Sequence, residues 1–359
     1  MKKMHLHKGL AFLLIGLMLI TLTACGGSSN EPAPAASETP AASEAPAEAP
    51  ASDEVFELKF AHVVRPTTPK GAAADEFKRL LEERSNGRIT VTVFPDSQMG
   101  TDQEINEQIL TGTLDINAPF FSTVTSFVSE FELFDLPYLF TSEEQIFNAL
   151  HGEVGDKFNE YLQEKGLVGL GYWSGGFKQL TNNVRPVKSV EDLDGLKIRV
   201  SQSPLLVSQF RAINAGGISV PFSELYSALQ TGTIDGQENP FSNIASRKFY
   251  EVQDYMTISD HGFMGYALIM SKAKYDAMPA DLQALLQEVS NEVAAWQWEQ
   301  TAAMDSEYLQ EIIDAGMIVD EFGPAEKEAY RAATAVVYDE FAAKENGQEL
   351  LDLVEQYTR

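Results

Sequence analysis

The chain has 359 residues, 44% of them hydrophobic, and carries 53 Asp and Glu against 26 Lys and Arg for a net charge of −27. That balance argues against nucleic acid as a partner, and against a surface drawn to anionic lipid, since both need a basic footprint. Cys25 is the only cysteine, which excludes an intrachain disulfide.

Residues 1–24 combine a basic start, an apolar run from Leu10 to Leu22 and small residues before Cys25. This is the pattern of an export signal, and the run is too short for a good membrane span. Leu22-Thr23-Ala24-Cys25 resembles a bacterial lipobox, which implies cleavage before Cys25, lipidation of Cys25 and an anchor on the outer face of a membrane. Loss of Lys2, Lys3 and Lys8 with the signal takes the net charge from −27 to near −30. Residues 25–54, rich in Ala, Pro, Glu and Ser with no aromatic before Phe56, cannot bury enough apolar surface to fold and read as a disordered tether. About 305 residues remain, enough for two lobes of ordinary size.

The remaining chain repeats an order of elements. Glu57–His62 is predicted as a strand, followed by a helical stretch, a strand at Ile89–Phe94, and a helix that stops at Thr111-Gly112-Thr113. A short strand and a loop closed by Pro119-Phe120 complete the first copy. Leu196–Val200 opens the second copy, with a strand at Ile218–Pro221, a helix stopping at Thr231-Gly232-Thr233, and a loop closed by Pro240-Phe241. Gly112 and Gly232 stand where a helix ends, since glycine takes the left-handed conformation at little cost. The order predicts parallel sheets covered by helices, hence an α/β fold of two similar lobes. Ligands of such sheets sit off the carboxyl ends of the strands, which places a cleft between the lobes. From Ala280 to Ala315 the chain lacks Pro and Gly and keeps helical apolar spacing. One helix there would be ~54 Å long and would run across both lobes. The alternative is two shorter helices with a bend near Thr301–Ala303.

Enzyme signatures are absent: no phosphate-binding loop, zinc-protease motif, nucleophile elbow or dinucleotide fingerprint occurs. His62, His151 and His261 have no metal-ligand spacing, so neither a metal nor a cofactor is expected. The cleft loops carry more. Arg199 lies in Leu196-Lys197-Ile198-Arg199-Val200, and alternation turns it away from its apolar neighbours. Its planar fork suits a carboxylate, or a structural salt bridge. Lys178 follows Trp173-Ser174-Gly175-Gly176-Phe177, where Trp173 offers a flat apolar wall. It is a second candidate cation, or a solvated lysine beside a core tryptophan. Asn239, before Pro240, can donate to a carboxylate or cap a turn.

These residues resemble the extracytoplasmic solute-binding subunits of tripartite ATP-independent periplasmic (TRAP) transporters, over nearly all of 55–359. The most specific stretch runs from Phe222-Ser223-Glu224-Leu225-Tyr226 through Leu229-Gln230-Thr231-Gly232 to Asp235-Gly236-Gln237-Glu238-Asn239-Pro240. His62-Val63-Val64 with Thr68-Pro69-Lys70-Gly71, Phe134-Asp135-Leu136-Pro137-Tyr138, Gly171-Tyr172-Trp173 and His261-Gly262-Phe263 point to the C4-dicarboxylate-binding branch. The resemblance implies that Arg199 clamps a ligand carboxylate, that Asn239 contacts the ligand and that Phe222 lines the site. Lys178 falls where much of the family has arginine, so a second bidentate clamp is in doubt. Phe120 falls where sialic-acid binders have an acid, which argues against a sugar acid. Trp173 and His62 complete the set of candidate ligand-binding residues.

The resulting expectation is a lipid-anchored binding protein that captures a small organic acid, such as succinate, malate or fumarate, and delivers it to a membrane permease. It needs no metal or cofactor and catalyses nothing. The first lobe would comprise 55–176 plus 265–304, the second 177–264 plus 305–359, with the crossings as hinge. Other family ligands compete, among them keto acids, aromatic acids, ectoine-like zwitterions and sugar acids. So do two other classes: an exported enzyme using His62 or His261, and an adhesin without a cleft.

Overall fold

A computed structural model describes residues 54–358. The expected signal at 1–24, the lipidation at Cys25 and all of the 25–54 tether except Glu54 lie outside them.

The first lobe opens with β1 (Phe56–Ala61), whose alternating buried and exposed residues set one face on the core. The Thr68 side chain accepts the Gly71 N–H and caps α1 (Pro69–Arg84), with Pro69 in the first turn where no N–H is missed. After β2 (Ile89–Phe94), Thr101 and Glu104 exchange hydrogen bonds as a capping box that starts α2 (Asp102–Leu110). The short β3 (Ile116–Asn117) ends this unit. β4 (Leu167–Phe177) and β5 (Gln179–Asn182) then lead into the second copy. It comprises β6 (Lys197–Val200), α3 (Pro204–Ala212), β7 (Gly216–Ser219), α4 (Leu225–Gln230) and β8 (Gly236–Asn239). β9 (Tyr255–Ile258), β10 (Phe263–Ser271), α5 (Ala280–Asp314), β11 (Ile318–Glu321), α6 (Val336–Ala342) and α7 (Gly347–Thr358) complete the elements used below.

Two sheets result, ordered β2-β1-β3-β10-β4 and β7-β6-β8-β5-β9-β11. In each, the repeat supplies three parallel strands, as expected. The fourth strand, β10 or β5, runs antiparallel to both its neighbours, so the sheets are mixed rather than parallel throughout. The difference arises because the fourth strand of each sheet arrives from the other lobe. β7 also starts two residues earlier than the expected Ile218–Pro221. A Cβ on Gly217 would stand 3.0 Å from the Val207 Cα of α3, so this glycine lets the helix close on the strand.

The repeated phrase has a mechanical reason. Gly112 and Gly232 have φ of +73° and +67° and stop their helices. Three residues on, the Asp115 carboxylate accepts the Lys59 N–H at 2.8 Å, and its N–H donates to the Lys59 carbonyl. Asp235 does the same with Lys197, its carboxylate also at 2.8 Å. Each aspartate thus pins the third strand of its unit beside the first.

Two strands cross between the sheets side by side. β4 passes through Lys178 into β5, β9 returns through 259–262 into β10, and the Lys178 N–H donates to the Gly262 carbonyl at 2.8 Å. The long helix is continuous, without the bend considered near Thr301–Ala303. Its Leu282, Leu286, Val289, Val293 and Trp298 join the core of the first lobe, and Tyr308 and Ile312 join a second cluster with Phe222, Leu225 and Phe249. It therefore spans both lobes. Residues 305–359 do not stay together. Val337, Phe341, Leu350 and Val354 of α6 and α7 return to the core of the first lobe, where their apolar faces meet its helices.

Gly232→Ala tests the strand pin. A Cβ there meets nothing within 4 Å, so only the left-handed backbone resists. The expected loss is about 1 kcal/mol of unfolding free energy, measured by chemical denaturation.

Candidate ligand-binding site

One cavity lies where the lobes meet. It is small, with about 20 Å³ of free volume, and is lined by Arg199, Asn239, Phe222 and Phe120 together with Val64, Asp102, Ser201, Asn243, Met264 and Tyr266. The first four were sequence candidates. A larger groove of about 380 Å³, beside Tyr138 and Arg331, gathers none of them.

Arg199 is 4% exposed on β6, between β7 and β8. Its Nε donates to the Val220 carbonyl at 2.8 Å, which fixes the guanidinium plane. Among the described residues no carboxylate forms an ion pair with it. Burial lowers its pKa to about 10, against the more distant pull of Glu238 and Asp102. A buried guanidinium with one face against the protein and no ion pair is a docking point for a carboxylate. Phe222 lies under it, with the Arg199 Cζ 6.0 Å from the ring centroid.

Asn239 also lines the cavity, but its amide is partly used. It donates to Gln237 and accepts from the Asn243 amide at 2.8 Å. Gln237 continues the chain to Thr181, and Thr181 to Gln253. The amide ladder holds Asn239 in place and leaves one N–H of its side chain for a ligand.

Three candidates do not line this cavity. Lys178 is 1% exposed, and its Nζ meets the Glu238 carboxylate oxygens at 2.9 and 2.8 Å. Glu238 also meets His261 Nε2 at 2.8 Å, and His261 Nδ1 meets Ser259 at 2.8 Å. Burial alone would raise the Glu238 pKa, but Lys178 and His261 hold it at about 2. Lys178 is thus already paired beside the crossing, with its Nζ 6.0 Å from the centroid of the cavity-lining Phe120 ring. Trp173 is fully buried against Phe60 in the core of the first lobe, with ring centroids 6.2 Å apart. His62 is 1% exposed, and burial followed by the nearby Lys70 charge lowers its pKa to about 3, so it stays neutral.

Sequence reasoning missed Lys70. It sits in the first turn of α1, 3% exposed, with Nζ 4.1 Å from the centroid of the Tyr266 ring. It lines a tightly closed crevice that shares Asn243 and Tyr266 with the main cavity. Burial pushes its pKa down to about 8, opposed by Asp102. Asp102, half-buried at the start of α2, is raised by burial and held back by Lys70 and Arg199. The site thus contains two separated cations and one acid whose charge is disfavoured. The available signal was weak: a lysine following a capped Thr-Pro reads as a solvated first-turn residue.

The chain is similar to known proteins over most of its length. Residues 60–345 match the model for bacterial extracellular solute-binding proteins, family 7. The chain is 37% identical to the C4-dicarboxylate-binding periplasmic protein DctP of Rhodobacter capsulatus over 297 residues, covering 82% of this chain and 89% of that protein. It is 36% identical to the C4-dicarboxylate-binding protein DctB of Bacillus subtilis (strain 168) over 300 residues, covering 82% and 86%. The crystal structure of a TRAP periplasmic solute binding protein from Sulfurospirillum deleyianum with bound succinate superposes with a TM-score of 0.81 at 37% identity, covering 85% of this chain and all of that one. The chain belongs to family 7 of the bacterial extracellular solute-binding proteins. The resemblance to TRAP solute-binding subunits, and the two-lobed α/β fold expected from it, are borne out.

Reassignment of Lys178 is testable. Lys178→Met strands a buried Glu238, so it should cost about 3–5 kcal/mol of folding stability in thermal or chemical denaturation. The pH course has a defined sign. Glu238 falls from an ordinary 4.5 to about 2 on folding, so its contribution is present above pH 4.5 and lost as pH falls toward 2. The variant should be flatter than wild type across that window.

Proposed function

We propose that the protein captures a small dicarboxylate between its lobes and delivers it to a TRAP-type permease. The observation that carries this reading is Arg199, a buried guanidinium lining an inter-lobe cavity without an ion pair, with Lys70 as a second buried cation nearby. Two cations at separate points suit an anion with a carboxylate at each end. The C4-dicarboxylate ligands named for DctP and DctB, and the succinate in the related structure, support a four-carbon span. Phe120 and Phe222 give the cavity apolar walls, which favour a methylene chain over a polyhydroxylated sugar acid. The role is binding, not turnover. The cavity lining contains no histidine, and the neutral His62 and the Glu238-bound His261 lie outside it. Lobe membership follows the sheets, with the strand crossings at Lys178 and 259–262 and the long helix as the connections about which the cleft closes.

The binding experiment is calorimetry with succinate. Arg199→Ala should cost about 2–5 kcal/mol, because the ligand carboxylate loses a charged partner in a cavity poor in water. Arg199→Lys should recover part of it, since lysine cannot present the fork. Lys70→Met should weaken a dicarboxylate more than a monocarboxylate of similar size. Free Lys70 titrates near pH 8, and a bound carboxylate favours its charged form. Binding should therefore take up a proton above pH 8 and weaken as pH rises, by at most about tenfold per pH unit, and Lys70→Met should flatten that limb. An Arg199→Ala affinity within about threefold of wild type, roughly 0.65 kcal/mol, would reject the site.

The protein acts outside the cytoplasm, tethered through a lipid on Cys25. The lipobox-like Leu22-Thr23-Ala24-Cys25 and the long Ala-Pro-Glu segment behind it support this. Cys25→Ser should abolish lipid labelling and release the protein or leave it unprocessed. Unchanged membrane retention and labelling would refute the anchor.

A further inference from the structure

The loop after β2 reaches across the cleft. Asp96 and Ser97 are consecutive non-glycine residues in the left-handed region, with φ of +53° and +59°. Such a pair is strained, and it persists only where its surroundings hold it. Here the Asp96 N–H donates to the Val64 carbonyl at 2.9 Å and the Ser97 N–H to the His62 carbonyl at 3.2 Å. The turn is thereby fixed on the segment after β1, and the Asp96 carboxylate stands beside the Val63 carbonyl.

Both acceptors belong to the first lobe, and one donor from the second lobe takes them. Arg247, at the end of the helix Phe241–Ser246, places Nη2 at 2.6 Å from the Val63 carbonyl and 2.7 Å from the Asp96 carboxylate. Its side chain is 16% exposed, so the pair is partly withdrawn from solvent. Its Cζ lies 5.0 Å from the centroid of Phe222, the ring that also lies 6.0 Å from the Arg199 Cζ. Arg247 does not line the cavity, although its neighbours Val64 and Phe222 do. Arg65 is the like charge that opposes it.

We propose that Arg247 is a closure latch: it fixes how long the ligand stays bound without touching it. Its bonds to Val63 and Asp96 exist only while the lobes are together, because opening separates donor from acceptors. Affinity is the closed-state affinity scaled by the population that closes, so a bond unique to the closed state strengthens binding. The effect falls on dissociation, because the open form that admits the ligand does not contain the bond. Removing the pair should also separate the lobes in the absence of any ligand.

The inference rests on the reading of the protein as a binding protein that closes over an organic acid, and the test separates the two. Stopped-flow binding of succinate to the chain without residues 1–24 is compared for wild type, Arg247→Ala, Asp96→Asn and the double variant. Arg247→Ala should raise the dissociation rate about tenfold and leave the association rate within about twofold. Asp96→Asn should have a smaller effect that disappears in the Arg247→Ala background, which a merely structural arginine would not produce. Small-angle scattering without ligand should give a larger radius of gyration for Arg247→Ala than for wild type. Failure of wild type to bind succinate would count against the ligand alone, since the scattering comparison still decides the latch. An Arg247→Ala variant with unchanged radius of gyration overturns the latch, as does an unchanged dissociation rate where wild type binds.

Discussion

The geometry of the cleft depends on two strands that leave one sheet and enter the other side by side. Their crossing is held by a backbone bond between Lys178 and Gly262 and by the buried Lys178–Glu238–His261 set. Glu238 belongs to β8, and so does Asn239. Successive strand residues point to opposite faces, so one strand sends Glu238 to the crossing and Asn239 to the cavity. Displacing Glu238 would move the cavity wall with it. An ion pair this deep is weak evidence of net stability, because desolvation offsets most of the Coulomb gain. Its consequence here is register. It allows one alignment of β5 against β8 and hence one position of the amide ladder behind the ligand.

The internal repeat makes the cleft two-sided. Each copy ends its second helix on a left-handed glycine and pins its third strand with an aspartate on the N–H of the first. The ends of these units then face each other, with Phe120 just after β3 in one copy and Asn239 at the end of β8 in the other on the same cavity. The copies diverge beyond the third strand. The second carries one more residue before its proline, and its loop supplies polar amides where the first supplies an aromatic ring. Near-duplicate scaffolds thus present unlike walls, one apolar and one hydrogen-bonding, to a ligand that has both kinds of surface.

Legibility in the sequence followed the range of the interaction. The glycine stops, the capped helices and the long Pro- and Gly-free helix are local features and could be read from spacing. The antiparallel strands β5 and β10 could not, because their partners lie far from them along the chain. Arg199 was legible because an arginine flanked by Ile198 and Val200 demands an explanation. Lys178 drew the same attention, but its partner Glu238 is 60 residues away, and only the fold reveals that the charge is already matched. Lys70 was noted only within Thr68-Pro69-Lys70-Gly71 and given no role, because burial of a first-turn lysine depends on Tyr266, which lies on a strand almost 200 residues away.

A net charge of −27 sets the condition under which an anion can be bound at all. At ordinary ionic strength the Debye length is about 8–10 Å, so most of the surface acids are screened from a ligand in the cleft. Inside the cavity the screening is lost and nearby groups decide. Arg199 and Lys70 face Asp102 there, and burial disfavours the charge on Asp102 while the two cations favour it. Neither cation forms an ion pair with Asp102 among the described residues, so on the proposed reading both stay available to a dicarboxylate. On that reading, an acid whose charge burial disfavours is what leaves both cations open to a stronger anion.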